Sequence, residues 1–585
     1  MPNTQCLIIF LIDKYCFVLL PFKMVIFSLI IMTANNKEKK AANKKLSNKP
    51  HKTYYKKKSL FENPIFLIIF ILLLTFITFI PSLRNGFISS WDDAQYILDN
   101  LIIRQLNFLS IKAMFVNQVN ISYVPLPLLS FAIEYQFFGF APIPFHITNL
   151  ILHLGCTFLV FYFLRLLKLE DIYAALGAFL FGIHPMHVES VAWITERKDL
   201  LYSLFYLTSM IFYILNIQRN ERSWKLISLS ILFFILALFS KIQAVSLPLS
   251  LLLIDYYFQR PLKLKLIIEK IPLFFLSFII GMVGILIINK QIGFQINQSS
   301  PFYQRIFLGL YALSAYLLKF LAPFYLSAIY PIPFSSNQTL PLIYYLSPLF
   351  LLLVGFGVYK SAKYTKAIIF GFLFFLFNII FLLQFIGQGV TYLADRYSYI
   401  SYIGLSFILA WTVERSVKKS YKYKPHLVFS MFILCTIFIF LTYNRCQVWE
   451  GVQLWSDVIK KYPEYSTGYN NRGLEYQKLG QTDRAIDDFT KTLEIDPNNY
   501  KAYANRAIIY GDMGQWDRQV TDCSKSIEIN PKNQTTYSNR GLAYEKLGDW
   551  ENAIKDYTKV LEFNPNAKEA YLNRGGGVCK PSSMG

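Results

Sequence analysis

The chain is 585 residues long, 54% hydrophobic and 17% aromatic, and only 16% of its residues are charged. Because the apolar residues fall in long runs, this composition excludes a soluble globular enzyme and is typical of an integral membrane protein with a soluble extension. The net charge of +22 does not indicate a nucleic-acid partner, since ten lysines lie between Lys37 and Lys58 and most other basic residues flank hydrophobic segments. The excess charge instead reports membrane topology, with anionic lipid headgroups as the partner.

Residues 1–63 form the first predicted unit. Their hydrophobic stretch, from Leu7 to Met32, has no small-residue cleavage site of the signal-peptide kind, so it is either an additional span or sequence that precedes a native start at Met32. The lysine-rich tract that follows has almost no large aliphatic residues, and we expect it to be disordered and cytoplasmic. The seven cysteines form no Cys-x-x-Cys pair, so we infer neither a metal site nor a disulfide framework from them.

Residues 64–443 are predicted to form a polytopic membrane helix bundle. Hydrophobic stretches of about 20 residues each give about eleven spans. These spans are 64–81, 146–165, 171–187, 200–215, 224–240, 245–258, 267–288, 342–359, 367–386, 399–413 and 427–443. With the lysine tract inside, the later loops rich in Lys and Arg also fall inside, as the positive-inside rule requires. Segment 305–322 is apolar enough to cross, but counting it would place later basic loops outside, so we interpret it as re-entrant or interfacial.

This topology gathers polar residues on the outer face of the membrane. Asp92 and Asp93 follow the first span in an otherwise charge-poor region, and the pair is either a solvated acidic turn or part of an active site. Adjacent residues of an extended loop point apart, so we expect the two acids to differ in role. The residues that share this face are Asp92, Asp93, His184, His187, Glu189, Arg197 and Arg396.

The chain changes character after residue 443. A linker helix is predicted at 444–465, and then Pro, Tyr, Asn and Arg recur every 34 residues, as at Pro463, Pro497, Pro531 and Pro565. This period is that of the tetratricopeptide repeat (TPR), a helix pair that stacks into an α-solenoid. Three complete units (466–499, 500–533, 534–567) and a partial fourth (568–585) are predicted, and the three glycines from Gly575 predict that the fourth helix breaks after Arg574. Since the last span runs outward, the repeats should be extracytoplasmic and act as an interaction surface.

Several ordered blocks carry a family resemblance. They are 87–100 with the Asp pair, Tyr-Val-Pro-Leu-Pro-Leu-Leu-Ser-Phe from Tyr123, Phe-His-Ile-Thr-Asn-Leu-Ile-Leu-His from Phe145, 181–201, Ser-Lys-Ile-Gln-Ala-Val-Ser-Leu-Pro from Ser240, Leu-Ser-Ala-Ile-Tyr-Pro from Leu326, Ala-Asp-Arg-Tyr-Ser-Tyr-Ile from Ala394, and 449–455. In this order, with the repeats, they resemble the transmembrane and tetratricopeptide repeat-containing proteins. These are O-mannosyltransferase-like members of the GT-C glycosyltransferase superfamily that also have bacterial relatives. One departure is Val124, where the resemblance predicts arginine.

The resemblance implies an inverting transfer of a sugar, mannose in the named family, from a polyprenyl- or dolichyl-phosphate donor to an outer or lumenal acceptor. Such a transfer needs a carboxylate to take the proton of the acceptor hydroxyl, and the candidates are Asp92 and Asp93, with Asp92 preferred. The other acid would hold the loop or a divalent ion. No other cofactor is predicted.

Further candidates follow from the lipid-phosphate leaving group, which calls for cationic donors. Arg396, Arg197 and Lys241 are predicted to bind the donor phosphate. The alternative for Arg396 is a salt bridge with Asp395 that anchors a helix end, and the alternative for Lys241 is a snorkelling side chain.

Substrate-binding candidates are His184, His187, Glu189 and Tyr123. The two histidines are expected to contact the sugar or phosphate, or else to stabilise a helix end. A zinc site is disfavoured because Pro185 interrupts the helical register and no further ligand pattern accompanies the pair.

Two other functions compete with a transferase. The first is a non-catalytic, membrane-anchored TPR scaffold for protein–protein interaction; the second is a transporter or polysaccharide polymerase, although polar residues at one face rather than at mid-membrane argue against it. The transferase hypothesis places a multi-pass protein in a bacterial cell membrane, or in the endoplasmic reticulum membrane of a eukaryote. The repeats would then bind the acceptor protein or glycan.

Overall fold

The computed structural model describes residues 63–578, apart from 121, 220, 262, 293–300, 334–338, 384 and 386–390. Almost all of the predicted unit 1–63 therefore lies outside the described residues, as does 579–585. The described part of the chain consists of helices and connecting loops, with two isolated β-bridges, at 119/122 and 331/391. The all-α prediction is confirmed.

The helices of the membrane region alternate long apolar segments with short turns. In chain order they are α1 Pro64–Phe79, α2 Phe108–Val116, α3 Pro125–Phe138, α4 Pro142–Leu166, α5 Asp171–Gly182, α6 Val188–Ala192, α7 Arg197–Ile217, α8 Trp224–Ser240, α9 Leu247–Tyr257, α10 Leu264–Ile268, α11 Ile271–Ile292, α12 Phe302–Leu321, α13 Leu342–Ser361, α14 Ala367–Ile379, α15 Tyr402–Lys419 and α16 Lys424–Val448.

Five helical segments of the described residues are long and apolar enough to cross a membrane: Pro64–Arg84, Pro142–Leu166, Ile194–Ile217, Leu342–Ser361 and Tyr421–Val448. They indicate a membrane protein. Five further apolar helices are only 10–17 residues long, so the count of about eleven spans stays a prediction. One cause of the difference is visible at Pro185, because proline cannot continue a helix and α5 already ends at Gly182.

Close helix packing in this region depends on glycine. A Cβ atom built on Gly404 of α15 would lie 2.2 Å from the carbonyl oxygen of Gly371 on α14. The two helix backbones therefore touch, and no side chain fits between them. This contact fixes α15, which begins six residues after Arg396.

The C-terminal part is a TPR solenoid. A linking helix, α17 Gly451–Lys461, precedes α18 Ser466–Lys478, α19 Thr482–Ile495, α20 Tyr500–Asp512, α21 Trp516–Ile529, α22 Gln534–Leu547, α23 Trp550–Phe563 and α24 Lys568–Val578. In each complete repeat an arginine of the first helix clamps an aspartate of the second with two hydrogen bonds, at 2.8 to 2.9 Å. The pairs are Arg472–Asp488, Arg506–Asp522 and Arg540–Asp556.

One prediction about the repeats is wrong. The glycines after Arg574 were expected to break the helix, yet α24 continues to Val578. Each glycine lowers helix stability by only about 1 kcal/mol relative to alanine. The buried Ala570 packs α24 onto the third repeat, and this packing offsets the low intrinsic propensity.

Candidate functional site

Residues 85–100, here called the Asp92 loop, follow the first membrane helix. Asp92 and Asp93 lie on a helical turn within this loop rather than on the expected extended backbone, and the two acids have different surroundings. Asp93 is fully buried, and its carboxylate accepts hydrogen bonds from the backbone N–H groups of Ile88 at 2.8 Å and Thr195 at 3.3 Å. Burial raises the pKa of Asp93 to about 7. The side chain of Asp92 is 21% exposed, and its Oδ2 lies 3.6 Å from Nζ of Lys198. Asp93 therefore holds the loop, whereas Asp92 faces other charged groups.

Those groups form a continuous network of ion pairs, here called the charged cluster. Its centre is the buried Glu196, whose Oε1 lies 3.0 Å from Nζ of Lys198 and 3.4 Å from Nε of Arg396, and whose Oε2 lies 3.5 Å from Nζ of Lys241. The seven members are Asp92, Glu189, Glu196, Lys198, Asp199, Lys241 and Arg396.

Two further carboxylates complete the cluster. Asp199 pairs with Lys241. Glu189 pairs with the guanidinium of Arg396 and also accepts its backbone N–H at 3.0 Å. Burial raises the pKa of Glu189 to about 7, and the positive charge of Arg396 opposes that rise. Four acids against three cations leave a net charge of −1 when all are ionised, so the cluster is nearly neutral internally.

The cluster adjoins a cavity of ≈ 80 Å³. Lys198 and Lys241 line its polar side together with Tyr123, whose hydroxyl donates to the carbonyl of Phe115 at 2.9 Å. Its apolar lining residues include Val124, Leu238, Ile280 and Val283. Two ammonium groups beside a hydrocarbon wall are suited to an amphiphilic anion.

The structure does not bring Arg197 into the charged cluster. Arg197 is fully buried, and it donates to Glu134 at 2.5 Å, to the side chain of Asn149 at 2.8 Å and to the carbonyl of Phe145 at 2.9 Å. Its guanidinium also lies 4.6 Å from the ring centre of Phe131. Arg197 thus joins α7 to α3 and α4.

The two histidines lie in the protein interior. Nε2 of His184 lies 3.1 Å from the carbonyl oxygen of Phe320, and Nδ1 accepts the backbone N–H of Met186. Nδ1 of His187 lies 2.8 Å from the carbonyl oxygen of Phe181. These contacts hold the turn that precedes Glu189. Among the described residues, no three His, Cys, Asp or Glu side chains are grouped to hold a metal ion.

The contacts of two cations bear on the alternatives given for them, and their binding of a donor phosphate stays a prediction. Arg396 pairs with Glu189 and Glu196, whereas Asp395 accepts a hydrogen bond from the hydroxyl of Tyr330 at 2.7 Å. Lys241 is buried in ion pairs rather than extended toward solvent.

Sequence reasoning missed Glu196, Lys198 and Asp199. The signal was present in the run Thr-Glu-Arg-Lys-Asp from Thr195, where four charged residues open an apolar helix. Successive helical residues point about 100° apart, so such a run must face several directions.

The first TPR repeat contacts the same loop. Glu475 of α18 accepts hydrogen bonds from the backbone N–H of Ser90 at 2.8 Å and from its hydroxyl at 2.6 Å. The indole N–H of Trp455 donates to the same hydroxyl at 2.8 Å. The solenoid therefore adjoins the segment that leads into Asp92.

A helical membrane region with a buried charged cluster, followed by a helical-repeat solenoid, defines a membrane protein of the TPR class. Two tetratricopeptide repeat models match the chain, one at 466–499 and 535–567 and the other at 489–521.

The chain is also similar to proteins named protein O-mannosyl-transferases, which confirms the predicted resemblance. TMTC4 of Homo sapiens is 37% identical over 115 residues, or 17% of this chain and 16% of that protein. Tmtc1 of Drosophila melanogaster is 33% identical over 125 residues, or 21% and 14%. F38B6.6 of Caenorhabditis elegans is 26% identical over 451 residues, or 73% of this chain and 62% of that protein. The chain thus spans less than two thirds of these relatives' length.

Similar solved structures cover the repeats. The first TPR of Spaghetti (RPAP3) bound to an HSP90 peptide is 34% identical, with a TM-score of 0.19, over 19% of this chain and 90% of that one. The Arabidopsis OM64 TPR domain is 26% identical, with a TM-score of 0.19, over 20% and 95%. These scores are low, so the assignment of the solenoid rests on the repeat models and the helix pairs.

Proposed function

We propose that this protein is a membrane glycosyltransferase of GT-C type that transfers a sugar from a polyprenyl- or dolichyl-phosphate donor to an extracytoplasmic protein or glycan. The observation that carries the proposal is the cavity in which Lys198 and Lys241 face an apolar wall. A lipid phosphate is complementary to this cavity, because its anion can pair with the lysines and its hydrocarbon chain can contact the apolar residues. The names of the relatives support mannose as the sugar and a protein as the acceptor.

Asp92 is proposed as the general base. It is the most exposed carboxylate of the charged cluster, at 21% against 3% or less for Glu189, Glu196 and Asp199. An acceptor hydroxyl can reach it, whereas the other acids are enclosed. The acceptor oxygen forms a bond to the anomeric carbon while the bond from that carbon to the phosphate oxygen breaks, and Asp92 takes the hydroxyl proton.

The lysines are proposed to hold the leaving phosphate. Lys198 lines the cavity and also contacts Asp92, so it links the base to the donor side. Glu196 contacts both Lys198 and Lys241, and Arg396 contacts Glu196 from a third direction. In this arrangement Arg396 holds Glu196, the carboxylate that both ammonium groups contact.

The remaining candidates receive supporting roles. Tyr123 lines the cavity and is proposed to contact the donor. Arg197, His184 and His187 are proposed to position the elements that carry the cluster, because their polar atoms contact buried protein groups.

The repeats are proposed to lie on the same membrane face as Asp92 and to bind the acceptor. The contact between Glu475 and Ser90 supports this shared side. The test uses sealed vesicles in which all copies of the protein have the same orientation. A protease added on one side of the membrane should cleave both the repeats and the segment around the exposed Gln95. Cleavage from opposite sides would contradict it.

The direct test uses the purified protein in lipid vesicles with radiolabelled mannosyl-phosphoryl polyprenol and a mixture of secreted acceptor proteins. We expect Asp92→Asn to lower the transfer rate by at least about 100-fold, the usual contribution of a general base. Asp99→Asn is the matched control, since Asp99 is an exposed acid on the same loop. Undiminished transfer by Asp92→Asn would refute Asp92 as the base, whereas absence of transfer by the wild-type protein would favour the scaffold hypothesis.

A further inference from the structure

One carboxylate joins the solenoid to the loop of Asp92. Glu475 is 5% exposed, and besides Ser90 its two oxygens accept from the hydroxyl of Ser89 at 3.3 Å. These groups lie 385 and 386 positions apart in the chain. A buried carboxylate is stable only when hydrogen bonds replace its water, and here the loop supplies them.

The register of the repeats shows that the solenoid itself does not require an acid at this position. The residues one and two periods later are Ile509 and Ala543, which are 2% and 0% exposed and pack inside the solenoid. In the first repeat the same position carries Glu475 and faces the membrane region. Its polar partners are therefore outside the repeats.

The linking helix α17 packs closely against this carboxylate. A Cβ atom on Gly451, at the start of α17, would lie 2.6 Å from Oε2 of Glu475. Four residues later, the fully buried Trp455 packs its ring 5.2 Å from that of Trp91 and donates to Ser90. The solenoid and the linking helix thus contact the loop together.

The loop is held on both sides of Asp92. Glu475 fixes Ser90 on one side, and the carboxylate of Asp93 fixes the other side through Ile88 and Thr195. Between them, the ring of Trp91 packs in a tilted arrangement against Trp193, with the ring centres 4.2 Å apart. Docking of the first repeat therefore adds a restraint at Ser90, two residues before Asp92.

We propose that Glu475 is a positioning residue through which the first TPR repeat holds the Asp92 loop in its active geometry. The catalytic part of this inference rests on the proposed function, because it takes Asp92 as the base. Undocking of the repeat would release Ser90 and move Asp92 relative to Lys198. Transfer would then require an assembled solenoid.

The test replaces Glu475 by isoleucine, the residue of the second repeat, in the full-length protein in lipid vesicles. We expect amide hydrogen exchange in 87–93 to rise by about ten- to a hundredfold, the range for losing a hydrogen bond to a charged group. The transfer rate should fall by a similar factor, with the KM for the lipid donor little changed, because the cavity is intact. Glu475→Gln keeps one acceptor oxygen and should give an intermediate result.

Two further variants keep the test decisive. Glu494→Gln alters an exposed acid of the same repeat and should leave exchange in 87–93 unchanged. Gly451→Ala pushes a methyl group against the flexible end of Glu475 without changing either solenoid or loop, so it tests the contact even when Glu475→Ile folds poorly. We expect it to raise exchange in 87–93.

The outcomes separate this inference from the proposed function. Unchanged exchange in 87–93 for both Glu475→Ile and Gly451→Ala overturns the positioning role, even when the wild type transfers sugar. If exchange rises in the two variants but the wild type transfers no sugar, the contact is supported and only the transferase proposal is refuted. Raised exchange with an undiminished transfer rate overturns the link between docking and catalysis.

Discussion

Replacing Asp93 by alanine removes two acceptor oxygens, one bonded to Ile88 within the Asp92 loop and the other to Thr195 just before α7. The amide of Ile88 loses a 2.8 Å hydrogen bond and that of Thr195 a 3.3 Å one. A buried donor without an acceptor costs about 1–3 kcal/mol. Since the second bond is long, we expect Asp93→Ala to lower the free energy of unfolding by about 2–4 kcal/mol.

Asp92 provides the matched comparison. Its side chain is 21% exposed and makes one ion pair, at 3.6 Å from Lys198. Such a pair contributes about 0–1 kcal/mol. Asp92→Ala should therefore abolish transfer with little loss of stability. Asp93→Ala should instead lower the free energy of unfolding, and any loss of transfer should follow from that.

The pH dependence gives a second readout with a definite sign. Burial raises the pKa of Asp93 from 3.8 to about 7 in the folded protein. Between these values the folded state holds a proton that the unfolded state has released, so unfolding becomes easier as the pH rises. The contribution of Asp93 is fully present below about pH 4 and is lost as the pH rises through about 7. In Asp93→Ala the slope should be shallower by the share of Asp93, while the share of Glu189, whose pKa is also raised to about 7, remains.

The assay is unfolding in detergent micelles, followed by tryptophan fluorescence at pH values on either side of this interval. Equal losses of stability in Asp92→Ala and Asp93→Ala would refute the division of roles. An identical pH slope in the wild type and in Asp93→Ala would refute the assigned burial of the carboxylate.

Three other substitutions test separate parts of the structure, each by its midpoint of thermal unfolding. Arg197→Lys should destabilise the membrane region by about 2–4 kcal/mol, because an ammonium cannot reproduce the buried fork of hydrogen bonds; no change would contradict its structural role. Gly404→Ala should cost about 1–3 kcal/mol by forcing α14 and α15 apart, whereas Gly355→Ala, whose Cβ meets nothing within 4 Å, should be neutral or slightly stabilising. Arg506→Lys should lower the free energy of unfolding of the solenoid by about 1–2 kcal/mol through loss of its bidentate pair with Asp522, and an unchanged midpoint would show that the clamp is dispensable.

The repeats could be predicted almost completely from the sequence. A period of 34 residues fixes which positions are equivalent, so the helix pairs and their small packing residues follow from the repeat alone. The membrane region was less predictable because hydrophobic length does not show where a helix ends. At Gly182 the helix stops before the apolar run does, since Pro185 must lie outside it.

The candidate site was predicted in part for a similar reason. Membrane sidedness placed Asp92, Glu189 and Arg396 on one face, and the structure joins them in one network. It could not distinguish Arg197 from Lys198, because neighbouring residues of a helix point in different directions. The contacts make the distinction: Arg197 pairs with Glu134 of α3, whereas Lys198 pairs with Glu196 of the charged cluster.

Glu475 was detectable, although the sequence reasoning missed it. Its equivalents, Ile509 and Ala543, are apolar, so an acid there departs from the register of the repeat. In a repeat that adjoins another part of the chain, a polar residue at an otherwise apolar position indicates a contact with that other part.

The charged cluster also has a consequence for biosynthesis. Its members come from stretches of chain that leave the ribosome at widely separated times, with Asp92 first and Arg396 last. The pairs among Asp92, Glu196, Lys198, Asp199 and Lys241 need no residue beyond Lys241. The ion pair of Glu189, by contrast, can form only after synthesis has reached Arg396.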